Sequence, residues 1–415
     1  MKHLLIALIL CISASTQAQD SLNVLFIGNS YTAYNNLPQL VAQVAASNGD
    51  YVTFNSNTPG GHTFQQHSTN TTTLSLIAQG NLDYVILQEQ SQLPSFPIGQ
   101  VQSDVYPYAK KLDSLINAAN PCAETVFYNT WGRKNGDASN CANFPPLCTY
   151  QGMDSLLQLR YGFMADTNNA LLSPVAQVWR YIRTNYPAIE LYNPDESHPS
   201  VAGSYAAACA FYTVLFRKNP LQITFNAGLD SATAANIRLA AKLIAYDNLT
   251  DWHVGEYDPV ASFTANIMGG WGQVLLEPHY SIADTYYWDL GDGNTSTEDT
   301  LYYNYSAGGA YFVTLIVAHC GMSDTLGQLV QPLFSSIGEN SNGQLNIYPN
   351  PFTDNITINK ELQQPINWQL VNALGQVVQV GNIYSITGLQ NLPLGLYLLR
   401  LNIGGKAYSK PMLKQ

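Results

Sequence analysis

The sequence predicts an α/β domain built on a parallel sheet, followed by two small all-β sandwich domains. Two observations carry this. From about residue 20 to 250, short apolar runs alternate with helical patterns, the signature of parallel strands covered by helices. After Asp258-Pro259 the pattern turns to period-2 alternation with Gly-rich turns and no helical spacing, which reads as β-sandwich.

The α/β part is organised around Val24 to Thr32. Its apolar run predicts a buried strand, Val24–Ile27, which Gly28-Asn29 breaks, leaving Ser30 at the strand's C-terminal end. Ligands of open α/β sheets bind beyond that edge, where helix N-termini offer free N–H groups. Leu37, Leu40, Val41, Val44 and Ala45 then recur at the spacing of one helix face, predicting a helix over Leu37–Ser47. Further strands are expected at Val52–Asn55, Tyr84–Leu87, Thr125–Asn129 and Glu190–Tyr192. Helices are expected over 106–119, 154–168, 174–185, 201–216 and 230–246.

Composition narrows the function. The 415-residue chain opens with Met1-Lys2-His3, an apolar core from Leu4 to Ile12 and small residues ending near Ala18, so residues 1–19 read as a secretory signal peptide. No other run is apolar and long enough to span a membrane. A net charge of −11 argues against nucleic acid as partner, because such binding needs a basic footprint. Only 11% of residues are charged while tyrosine reaches 27, a composition suited to uncharged sugars. Beyond Cys11 of the leader there remain Cys122, Cys141, Cys148, Cys209 and Cys320, an odd number that leaves at least one unpaired. Cys141 and Cys148 bracket a proline-containing loop and are the expected disulfide, whereas Cys209 reads as a small buried hydrophobe. No metal-ligand spacing and no phosphate loop is present, so neither metal nor cofactor is expected.

Serine chemistry needs a base, a group that orients the base, and donors for the oxyanion. Of seven histidines, His3 lies in the leader and His279 and His319 in the β region, leaving His62, His67, His198 and His253. His198 stands out in Asn193-Pro-Asp195-Glu-Ser-His198-Pro, where Asp195 three residues earlier can accept one imidazole N–H while the other nitrogen faces outward. Gly60-Gly61 follows the second strand, and Gln88-Glu89-Gln90-Ser91 follows the third, which brings backbone and amide donors to the edge that carries Ser30. His62 reads either as a pocket residue or as a solvent-facing one, and Trp131 as pocket wall or core. Glu89 reads as a solvated strand-end charge in preference to a second working carboxylate.

Taken in order, these blocks resemble the SGNH/GDSL hydrolase superfamily over roughly residues 20 to 220. Gly28-Asn29-Ser30-Tyr31 resembles its first block with Asn for the usual Asp, Gly61 its second-block glycine, and Asp195-x-x-His198 its last block. The resemblance implies a three-layer, flavodoxin-like fold with catalytic Ser30, Asp195 and His198. It also implies an oxyanion hole from the N–H groups of Ser30 and Gly61 and a third donor. The third block departs: Gln88-Glu89-Gln90-Ser91 stands where Gly-x-Asn-Asp is usual. Gln90 falls on the asparagine, with Gln88 the alternative. Gln88, His62 and Trp131 are further candidates for substrate contact.

Downstream, Trp288-Asp-Leu-Gly-Asp-Gly-Asn294 with Tyr303-Asn-Tyr305 and Val313-Thr-Leu-Ile-Val317 resembles a PKD domain. Asp289 and Asp292 there read as turn-capping residues in preference to a calcium-binding pair. Leu345-Asn-Ile-Tyr-Pro-Asn-Pro351, Leu392-Pro-Leu-Gly-Leu-Tyr397 and Lys406 resemble the type A sorting domain of type IX secretion substrates in Bacteroidota. The expected organisation is therefore signal peptide 1–19, hydrolase domain 20–256, PKD-like sandwich 257–334, linker 335–344 and sorting domain 345–415. The expected function is a secreted or outer-membrane surface serine esterase that cleaves O-acetyl or short-acyl esters. Its partners would be an ester substrate, such as an acylated polysaccharide, and the secretion machinery. The alternative is a surface carbohydrate-binding or adhesion protein with an inert fold of this type.

Overall fold

A computed structural model describes residues 20–269, 272–279, 282–334, 346–358, 366–382, 385–403 and 406–415. The expected signal peptide and the linker 335–344 lie outside the described residues. The chain divides into two compact units between Tyr257 and Asp258.

The first unit is a five-stranded parallel sheet of order β2-β1-β3-β4-β5, formed by β1 (Ser21–Ile27), β2 (Tyr51–Asn57), β3 (Tyr84–Leu87), β4 (Glu124–Tyr128) and β5 (Leu171–Ser173). Along β1, Val24 and Phe26 enter one core and Leu25 and Ile27 the other, so a continuous apolar run serves both faces. The first core is closed by α2 (Leu37–Ala46), α8 (Val175–Asn185), α9 (Val201–Phe216) and α10 (Ser231–Ile244). The second is closed by α3 (Phe64–His67), α4 (Thr71–Ile77), α5 (Ile98–Asp104), α6 (Tyr106–Ala119) and α7 (Tyr150–Asn168). α9 is buried from Ala202 to Phe216, which is why its alanine-rich sequence has no polar face. A short helix, α1 (Ser30–Ala33), follows β1 directly.

The fifth strand corrects one expectation. Glu190–Tyr192 is not a sheet strand: Tyr192 forms an isolated antiparallel bridge with Pro199, and Leu171–Ser173 completes the sheet. Three residues between two helices show no period, whereas the apolar Leu191-Tyr192 pair imitates a strand while closing the base of a loop. The order places β1 between β2 and β3, at the point where the chain's winding reverses and open α/β sheets bind ligands, and Ser30 follows β1 there.

Within the second unit, β6 (Phe263–Ile267), β7 (Gln273–Pro278), β8 (Thr285–Asp289), β9 (Thr295–Ser296), β10 (Leu301–Asn304), β11 (Tyr311–His319) and β12 (Met322–Val330) form a sandwich of sheets β10-β7-β6 and β12-β11-β8-β9. Trp288, Leu276, Val313 and Leu315 fill its core. Asp289 and Asp292 accept the N–H groups of Gly291 and Asn294, both at 3.0 Å, as turn-capping residues do. The tail strands β13 (Ile347–Tyr348), β14 (Ile356–Ile358), β15 (Ile366–Asn372), β16 (Val377–Gly381), β17 (Ser385–Ile386), β18 (Gly395–Ile403) and β19 (Lys406–Lys414) form sheets β13-β14-β17 and β16-β15-β18-β19 around Phe352, Trp368, Leu370 and Leu399. In the first unit Cys141 and Cys148 form a disulfide, and Cys209 is a buried free thiol that burial pushes up to about 12.

Candidate active site

The turn that presents Ser30 is held from behind by the buried side chains of His67, Thr73 and Gln88. Gly28 donates its N–H to the Asn57 carbonyl (3.2 Å), and its own carbonyl accepts from His67 Nε2 (2.8 Å). A carbonyl can only accept, so this nitrogen carries the proton and Nδ1 accepts from the Thr73 hydroxyl (2.9 Å). Burial pushes His67 down to about 4, which keeps it neutral. Gln88 is fully buried; its Oε1 accepts from the Asn29 N–H and the Thr32 hydroxyl, both at 2.9 Å, while Nε2 donates to the Glu89 carbonyl. Gln88 therefore positions the serine turn, and with no exposed surface it cannot be the substrate contact expected of it.

Asn29 explains the departure from aspartate in this block. Its Oδ1 accepts the Tyr31 N–H (3.1 Å), capping α1, while its Nδ2 donates to the His62 carbonyl (3.0 Å) and ties the serine turn to the Gly60-Gly61 turn. A carboxylate cannot make the second bond. Asn29→Asp should cost about 2 kcal/mol or more, because a charge would sit unpaired against a carbonyl at a position 2% exposed. A lowered denaturation midpoint, with loss of any esterase rate, checks this.

The base loop rests on an aromatic stack. Trp131 lies between Tyr31 (5.0 Å between centroids) and Trp179 (3.6 Å), and its Nε1 donates to the Ser197 carbonyl (3.1 Å). The Tyr31 hydroxyl pairs with Ser197 Oγ at 2.7 Å. Trp131 is fully buried, so it is core that supports the loop, not the wall of a pocket. Asn193 donates its N–H to the His198 carbonyl (2.8 Å), and Glu196 adopts a left-handed φ of 59°, which compresses the loop between Asp195 and His198.

These supports bring together groups 168 residues apart: His198 Nε2 lies 2.8 Å from Ser30 Oγ. His198 Nδ1 lies 2.5 Å from Asp195 Oδ2, and the other oxygen, Oδ1, accepts the N–H groups of Ser197 (3.1 Å) and His198 (3.0 Å). Partial burial raises the Asp195 carboxyl, but the bond from His198 and these two N–H groups outweigh it and hold the carboxyl below its ordinary value. Tyr34, a residue the sequence did not point to, stacks its ring on His198 at 4.3 Å and 18°. A serine hydroxyl, an imidazole and a carboxylate in this chain can pass a proton away from an attacking oxygen.

The expected donors are placed as follows. Among the described residues, the N–H groups of Ser30 and Gly61 have no hydrogen-bond partner, and Gly61 has a left-handed φ of 70° with open space where a Cβ would stand. Gln90 is anchored through Oε1, which accepts from the N–H groups of Gln92 (2.7 Å) and Leu93 (3.0 Å). Its Nε2 donates one hydrogen to Gln92 Oε1 (3.1 Å), and a second hydrogen remains. His62 is half-buried, its ring 5.2 Å from that of His67. His253 bridges Asp166 and Glu256, outside this constellation. Glu89 overturns its expectation most plainly: it is fully buried, not solvated.

Comparison with known proteins fits this architecture. Residues 279–329 match the PKD domain, and residues 346–415 match the secretion system C-terminal sorting domain. The chain thus carries both modules, behind an α/β unit whose structural neighbours include SGNH/GDSL hydrolases. A DUF4886 family protein from Bacteroides uniformis is 17% identical, covering 55% of this chain and 97% of its own, with a TM-score of 0.48. A candidate SGNH hydrolase from Slackia heliotrinireducens is 25% identical over 46% of this chain and 97% of its own, with a TM-score of 0.39. The psychrotrophic esterase EstA from Pseudoalteromonas sp. is 14% identical over 47% and 97%, at 0.35. No curated protein matches the chain. Among the described residues no helix is long and apolar enough to cross a membrane.

Proposed function

We propose that the first unit is a serine esterase of SGNH type that cleaves carboxylic esters, O-acetyl or short-acyl groups on a carbohydrate alcohol, through an acyl-enzyme on Ser30. The observation that carries this reading is the hydrogen-bonded chain Ser30–His198–Asp195, at 2.8 and 2.5 Å. Ser30 Oγ attacks the ester carbonyl as its proton passes to His198 Nε2, and the Asp195 carboxylate stabilises the imidazolium through Nδ1–H. The carbonyl oxygen becomes an oxyanion, received by the N–H groups of Ser30 and Gly61 and by the remaining Gln90 amide hydrogen. The tetrahedral species collapses, His198 protonates the leaving alcohol, and the acyl group stays on Ser30. Water, deprotonated by His198, attacks the acyl carbon; collapse releases the acid and returns the proton to Ser30. His62 borders this site as a substrate contact. The tyrosine-rich composition, with only 11% charged residues, supports a sugar ester as substrate.

The domain roles follow the same reading. A leader at 1–19 starts export, the 257–334 module is a spacer or binding unit, and 345–415 hands the chain to the type IX secretion machinery, leaving it secreted or attached to the outer-membrane surface. Hydrolysis of short-chain aryl acetates by the wild type and by Ser30→Ala tests the activity. The variant should lose about 10⁴-fold or more of kcat, the scale for removing a triad nucleophile. Undiminished hydrolysis by Ser30→Ala would remove Ser30 as nucleophile.

A further inference from the structure

Glu89 is a buried acid that the reaction above does not use. It sits between the two turns that carry the proposed donors: both carboxyl oxygens accept the Phe64 N–H (3.1 and 3.0 Å), and Oε1 also accepts the Gln90 N–H (2.5 Å). Phe64 directly follows the Pro59–Thr63 turn that holds Gly61, and Gln90 is the third-block residue itself. One carboxyl therefore fastens one donor turn to the other. Its own N–H donates to the Tyr161 hydroxyl of α7 (3.0 Å), which fixes its backbone to the helix layer.

We propose that Glu89 is a positioning residue that holds the Gly61 and Gln90 turns in register as a neutral carboxyl, and that its ionisation disables the site. This rests on the esterase reading for its effect on rate, though not for its effect on stability. Glu89 is fully buried, and no cation acts on it. The titratable group facing it is Tyr161, whose hydroxyl burial also raises. Burial pushes the Glu89 carboxyl up from 4.5 to about 8, against the opposing pull of the Gln90 and Phe64 N–H groups. A negative charge behind the donor turns would oppose the oxyanion forming in front of them.

The sign of the pH dependence follows from proton binding. Between 4.5 and about 8 the folded chain holds a proton that the unfolded chain has released, so this group's contribution to stability is full below that window and is lost as pH rises through it. The test uses the full secreted chain as wild type, Glu89→Gln and Glu89→Ala, with aryl acetate kinetics from pH 6 to 10 and melting curves from pH 4 to 10. Glu89→Gln should keep kcat at pH 7 within about threefold and lack the fall in kcat/KM that the wild type shows near pH 8. Its melting temperature should also lack the decline that Glu89 gives the wild type between pH 4.5 and about 8. Glu89→Ala should lose about 10²-fold of kcat with KM within a few fold, as expected when reacting groups are misplaced by about 1 Å. A Glu89→Gln chain that keeps the wild-type alkaline fall or the same melting-temperature slope, or that fails to fold, would overturn the proposal. So would a Glu89→Ala chain with full kcat. A wild type without esterase activity would fail the esterase reading instead, and the melting curves would still decide whether Glu89 titrates.

Discussion

Replacing His198 with alanine should lower kcat for aryl acetate hydrolysis by about 10⁴- to 10⁶-fold, the range found when a triad base is removed. His198 is the imidazole within hydrogen-bond reach of Ser30 Oγ, at 2.8 Å, and His67 and His253 are committed elsewhere. His67 donates to the Gly28 carbonyl and is neutral, and His253 is paired with Asp166 and Glu256. Removing His198 removes the group proposed to take the proton of the Ser30 hydroxyl. KM should change by no more than a few fold, because the imidazole acts on the proton and not on the substrate's binding groups. Stability should change little, since the ring lies in a surface loop held by Trp131, Tyr31 and Asn193 through Ser197 and the loop backbone. Steady-state kinetics with a melting curve separates these effects.

Gly28→Ala should disturb the serine turn strongly. A Cβ at Gly28 would stand 2.6 Å from Thr32 Oγ1 and 2.7 Å from Gln88 Oε1, two atoms already bonded to each other. Neither is a free side-chain end. Gln88 is fully buried and also holds the Asn29 N–H, so moving it releases the residue before Ser30. Overpacking of this kind costs about 1–3 kcal/mol, and the upper part of that range is expected here. A displacement of Ser30 by about 1 Å should reduce kcat a further 10²-fold or so in the folded fraction. A chemical denaturation midpoint and single-turnover acylation measure the two losses separately.

Much of this site was legible because its parts lie at strand ends. A short apolar run ending in Gly-Asn-Ser and an Asp-x-x-His in a proline-bounded loop both signal by local pattern, and the alternating strands and helices say that they meet at one edge. What escaped reading was held by tertiary contacts. Leu171–Ser173 is too short to show a period, while Leu191-Tyr192 shows an apolar pair for a different reason. Glu89 and Gln88 look like polar strand-end residues, and polar residues usually face water. Both instead point inward, because the serine turn and the Gly61 turn need acceptors for N–H groups that no sheet or helix satisfies. Trp131 and Tyr34 carry no local signal of their packing at all; one supports the loop from beneath and the other covers the imidazole.

The most direct test of Ser30 as the nucleophile is covalent labelling with a fluorophosphonate, followed by mass spectrometry of the digested protein. The expected result is one adduct, on the peptide containing Ser30, absent from Ser30→Ala and strongly slowed in His198→Ala. Folded wild-type protein that takes up no label, or that carries it on another serine, would contradict the assignment and favour a surface binding protein that uses this fold without its chemistry.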